Sequence, residues 1–139
     1  MNRRNMTELR KKICIHVDLS IADTQYNEEL CFPIPPKTVK RLLQILHLNI
    51  ENYTCVIKSH DVRHVKKRHP EDIDYICEIP IIIQKFDRVE KSIVRCEKTG
   101  TSLVNFAFEK RYDKNTVKLV KLRVLRDKKL ELKTIFVKE

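Results

Sequence analysis

Ile13, Ile15, Val17, Leu19 and Ile21 alternate with Cys14, His16, Asp18 and Ser20. That period of two predicts a half-buried strand with His16 on its polar face. Residues 23 to 36 lack periodicity and carry Pro33, Pro35 and Pro36, which predicts a loop or irregular edge. From Lys37 the spacing changes. Val39, Leu42, Leu43 and Leu46 recur at three and four, the stripe of an amphipathic helix that starts just after the prolines.

Tyr53 to Lys58 is short, β-branched and aromatic, and reads as a strand. Ser59 is an expected N-cap, with Asp61 placed favourably near the positive end of a helix running from His60 to Arg68. Pro70 ends that helix at His69 and opens another one, with Glu71, Asp72 and Asp74 in its first turn and Ile73, Ile76 and Ile79 as its apolar stripe. Pro80 interrupts it, and a last apolar turn runs to Phe86. Four runs then follow, Arg88 to Glu97, Leu103 to Tyr112, Thr116 to Leu125 and Leu130 to Val137, separated by polar turns. They predict an antiparallel meander. The expected class is α+β, an N-terminal strand and helices packed on a C-terminal sheet of four strands, in one domain over 1–139. Residues 1–50 form its N-terminal strand, loop and helix.

Composition narrows the chemistry. Only Gly100 is a glycine, which removes the glycine-rich phosphate loops of nucleotide-binding folds. Five cysteines, Cys14, Cys31, Cys55, Cys77 and Cys96, are dispersed with no C-x-x-C, so reduced thiols in a cytoplasmic protein are expected rather than a disulfide frame or a zinc knuckle. No apolar run is long enough to span a membrane, and no secretory signal is visible after the basic start Met1 to Lys12. Lys and Arg number 29 against 19 acids, a formal net charge of +10 that suits a polyanionic partner.

The densest set of functional side chains is the segment Ser59 to His69, which holds three of the five histidines. At 100° per residue from His60, Arg63, Lys67 and His64 fall at about 300°, 340° and 40°, while Val62, Val65 and His69 fall between about 140° and 200°. Two imidazoles and two cations therefore share one face, suited to phosphate binding and proton transfer near neutral pH. A basic solvated face with incidental histidines fits the same pattern. The His60/His64 pair has metal-ligand spacing, but no Glu stands between them and no third ligand is evident, so no metal and no cofactor are expected. Thr134 interrupts the apolar row Leu130, Leu132, Phe136, either as a β-former or as a hydroxyl offered to a substrate phosphate. Lys110 and Arg111 end one predicted strand, and Lys133 lies in the last.

The order of Ser59-x4-His64-x4-His69-Pro70, the Ile79-Pro80 helix running to Asp87, the strand Thr101-Ser102-Leu103-Val104 and the closing Leu132-Lys133-Thr134-Ile135-Phe136 resembles the phage-associated branch of the barnase/EndoU/colicin/RelE-like (BECR-fold) nucleases. The resemblance covers residues 51–139. It implies a metal-independent ribonuclease acting on RNA, tRNA or another structured RNA among them, as a toxin or effector of a phage or mobile element. An immunity or antitoxin partner and delivery into a target cell go with that role. The expected catalytic residues are His60, His64, His69 and Thr134, and the expected phosphate or RNA ligands are Arg63, Lys67, Lys110 and Lys133. A non-catalytic RNA- or DNA-binding module, or an interaction protein of a mobile element, is the alternative.

Overall fold

The computed structural model describes residues 3–95, 97–100 and 102–138. Four α-helices, α1 (Arg3–Ala22), α2 (Pro36–Leu46), α3 (Ser59–Arg68) and α4 (Ile79–Lys85), and a 3-10 helix over Pro70–Glu78 accompany six strands. The strands are β1 (Glu29–Pro33), β2 (Thr54–Lys58), β3 (Arg88–Arg95), β4 (Ser102–Arg111), β5 (Thr116–Val124) and β6 (Lys129–Lys138). They form one sheet in the order β1-β2-β6-β5-β4-β3. The four-strand meander is present, and the sheet is extended to six strands by β1 and β2. β2 joins β6 in parallel, while every other pair is antiparallel.

The N-terminal strand is not formed; the segment is the 20-residue helix α1. Helical geometry puts Ile13, His16, Val17 and Ser20 on one buried side, at the three-and-four spacing of a helix face, and leaves Ile15 and Leu19 exposed. His16 is accordingly buried, not on a polar face. One ring nitrogen lies 2.8 Å from the Ile57 carbonyl and the other 2.9 Å from the Tyr26 hydroxyl. Burial pushes its pKa below the usual value. The aperiodic stretch 23 to 36 contains β1, which pairs with β2. Ser59 does not cap α3 with its side chain; its hydroxyl donates to the Glu28 carbonyl and accepts from the Glu28 amide, fixing the approach to β1.

One connected cluster of buried side chains runs from Ile13 through Leu42, Ile57, Val62, Ile76 and Phe106 to Ile135, all on the helix-covered side of the sheet. Cys14 in α1 and Cys77 in the 3-10 helix form a disulfide, against the expectation of reduced thiols. Cys31 is exposed and Cys55 buried, both free, and Cys96 lies outside the described residues, as does Thr101. No helix among the described residues is long and apolar enough to cross a membrane. Gly100 turns the β3–β4 connection at φ +70°, a left-handed conformation that suits glycine.

Candidate nucleic-acid interface

Helix α3 starts directly from β2 and buries Val62 and Val65 beneath it. The predicted outer face is present in part. His60, His64 and Lys67 are exposed. Arg63, expected to hold phosphate, is committed elsewhere. Its Nε donates to the Ser20 carbonyl at 2.8 Å, and its terminal nitrogen donates to the carbonyls of Asp23, at 3.1 Å, and Tyr26. It closes the end of α1 and the turn that leads to β1. Basic residues in the last turn, Lys66, Lys67 and Arg68, complement the negative end of the helix dipole.

His69 ends α3 with non-helical backbone angles, φ −138° and ψ 63°, so the helix arithmetic does not fix where its ring goes. Its amide donates to the Val65 carbonyl at 2.7 Å, and its ring stacks on Phe136 of β6 at 5.0 Å between centroids. The sheet carries its apolar core on the face of Phe106, Phe108, Val117, Leu119 and Ile135. Because side chains alternate along a strand, Phe136 and Thr134 stand on the other face, away from the core onto which the described helices pack. A bulge between Val120 and Lys121 resets the alternation, so Lys133 is the extra, exposed residue and Thr134 joins Phe136 rather than Leu132. The structure thus sets His69 against Phe136, two positions along β6 from Thr134, and leaves His60 and His64 exposed on α3.

Strand register sets out this face in cross-strand rows. Arg88, Glu109, Lys118 and Phe136 are successive partners across β3, β4, β5 and β6. Beside them runs Arg111, Thr116 and Lys138, and on the opposite flank Glu90, Ala107, Val120 and Thr134. The backbones of Glu109 and Phe136 are two strand spacings apart, about 10 Å. Glu109 is nearly buried, and Lys138 Nζ lies 3.0 Å from its Oε1. A basin of about 590 Å³ opens over this end, lined by Arg88, Glu109, Arg111, Lys138 and the β4–β5 turn. Lys110 points to the other face and lies over the Tyr112 ring at 5.3 Å, so it does not line the basin with its neighbours Glu109 and Arg111.

Sequence reasoning missed Arg88, Glu109, Lys118 and Lys138. The available signal was the alternation itself: Glu109 and Arg111 sit opposite the apolar row Phe106 and Phe108, and Lys118 opposite Val117 and Leu119. One solvated, polar face is also the common state of an antiparallel sheet, so the alternation alone does not mark these charges as functional.

Further titratable groups lie on the helix-covered side. Lys121 is fully buried, donates from Nζ to the Val56 carbonyl at 3.0 Å, and has its pKa lowered by desolvation. Cys55 beside it is pushed up to about 11 by burial. Asp61 of α3 is raised, first by burial and then by Glu131, which itself pairs with Lys58 at 2.9 Å. For metal ligation, His69, Glu71 and Asp72 are the group of described residues whose donor atoms converge. Comparison with protein-family models, with curated proteins and with solved structures finds no match to this chain.

Proposed function

We propose that the protein is a metal-independent ribonuclease whose RNA lies on the helix-free face of the sheet. The observation that carries this reading is the row Arg88, Glu109, Lys118 and Phe136 with His69 stacked at its end, a nearly buried carboxylate and an imidazole on either side of Lys118. In this reading Glu109 takes the proton of a ribose 2′-hydroxyl as that oxygen attacks the adjacent phosphorus. The bond to the 5′-oxygen breaks, that oxygen receives a proton from His69, and a 2′,3′-cyclic phosphate is left. Such paired proton transfers contribute about 10²- to 10⁴-fold each. Lys118, Lys138 and Arg111 supply positive charge where the phosphorane develops it, and Thr134 offers its hydroxyl to a phosphate oxygen.

The BECR-like resemblance supports the same assignment, with an effector role for a phage or mobile element and an acidic immunity partner covering this face. His60, His64 and Lys67 then contact RNA outside the reacting centre. The test is incubation of the protein with total RNA in EDTA, comparing Glu109→Gln, His69→Ala and His64→Ala. Degradation that resists the chelator, leaves cyclic phosphate ends and falls at least 100-fold in the first two variants only is the expected result. RNA retention without degradation would instead make this a binding module, and neither retention nor degradation an interaction protein.

A further inference from the structure

Where α3 gives way to the 3-10 helix, one imidazole nitrogen of His69 and one carboxylate oxygen each of Glu71 and Asp72 lie within 4.8 Å of one another. Ligand atoms on a tetrahedral zinc ion lie about 3.4 Å apart, given bonds of about 2.1 Å, so small side-chain rotations close the triad. Two of the three ligands are already held. The His69 ring rests on Phe136, and Asp72 is buried, its Oδ2 accepting from the Val137 amide at 3.1 Å and its own amide donating to the His69 carbonyl at 3.0 Å. Glu71 is exposed and free to swing. A hollow of about 450 Å³, lined by Glu71, Asp72, Tyr75, Asn115 and Val137, lies beside the two carboxylates.

We infer that His69, Glu71 and Asp72 are a binding site for a zinc-type divalent cation. One nitrogen and two oxygens with an open position suit zinc better than magnesium, which keeps its waters and needs octahedral geometry. Supporting hydrogen bonds of the kind Asp72 receives from Val137 are what fix such ligands. The consequence for activity rests on the ribonuclease reading: bound zinc takes the lone pair of the His69 imidazole, which must carry a proton to the leaving oxygen, so the ion is an inhibitor and not a cofactor.

The experiment is titration of the full, disulfide-intact protein, stripped of metal, with zinc chloride by calorimetry, and with cobalt(II) followed by its visible absorption. One ion per chain is expected, with a tetrahedral cobalt spectrum lacking thiolate charge transfer. Affinity should fall more than tenfold in both His69→Ala and exposed Glu71→Gln, and stay unchanged in His64→Ala. Absence of binding, or binding that both of the first two variants retain, would overturn the site. RNA cleavage is read in parallel, where zinc should inhibit and EDTA restore the rate. If no cleavage occurs under any condition, the ribonuclease reading fails while the calorimetry still decides the metal site; if cleavage occurs and zinc bound at the triad leaves it unchanged, the inhibitory role fails alone.

Discussion

Replacing Arg63 by Ala separates a structural arginine from a substrate ligand. Its guanidinium donates to three carbonyls, those of Ser20, Asp23 and Tyr26, and Ser20 is fully buried. A net contribution of about 1 kcal/mol per hydrogen bond, with the Ser20 carbonyl left partly unsatisfied in the variant, gives a loss of roughly 3 to 4 kcal/mol. At this chain length 1 kcal/mol corresponds to about 4 °C in Tm, so Arg63→Ala should melt roughly 12 to 16 °C below the parent. Arg63→Lys, which keeps the charge but cannot span three acceptors, should fall between the two. The assay is thermal unfolding followed by circular dichroism, with RNA binding measured well below both transitions. An Arg63→Ala protein that melts within about 2 °C of the parent yet loses RNA affinity would refute the reasoning and return Arg63 to the phosphate ligands.

The Cys14–Cys77 disulfide spans 63 residues, which the loop-entropy account values at about 4 kcal/mol; Cys77→Ser or a reducing agent should lower Tm substantially, and an unchanged Tm would contradict it. Cys55, buried with its thiol pushed up to about 11, should resist alkylation at pH 8 in the folded protein while exposed Cys31 reacts, as read by peptide mass mapping. The His16 pKa is lowered on folding by burial. Above the unfolded value, about 6.5, both states are neutral; below it the unfolded chain binds the proton first, so stability falls as pH drops from there. His16→Gln should flatten that slope in denaturant titrations, and an unaltered slope would show that His16 is not its source.

What the sequence disclosed followed from how local each signal was. The meander was legible because Phe106 and Phe108 or Val117 and Leu119 alternate with polar neighbours over short turns. α3 and the break at Pro70 were legible from valine spacing and proline geometry. The first element was misread because Ile13 to Ile21 satisfies a period of two and a helical stripe at once, and only burial of His16 and Ser20 with Ile13 and Val17 decides between them. β2 shows no alternation because Cys55, Val56 and Ile57 are all buried, and its parallel pairing with β6 joins segments some 75 residues apart in register from Thr54 to Lys129. The site was half legible for the same reason. His69 and Thr134 stand out by residue type, but the placement of Thr134 on the Phe136 side depends on the bulge at Lys133 and that of His69 on its stack with Phe136, and the hold of Arg63 on carbonyls was not legible because those acceptors lie about 40 positions upstream.

The measurement that bears most directly on the helix-free face as the RNA surface is an amide chemical-shift map of the labelled protein with a 2′-O-methyl oligoribonucleotide, which binds but cannot be cut. Shifts should concentrate at Arg88, Glu109, Arg111, Lys118, Thr134, Phe136 and Lys138, with His69 at their border, and should fade as salt rises because the contacts release counterions from phosphates. Shifts confined to His60, His64 and Lys67 on the outside of α3, with β4 to β6 unmoved, would contradict the assignment.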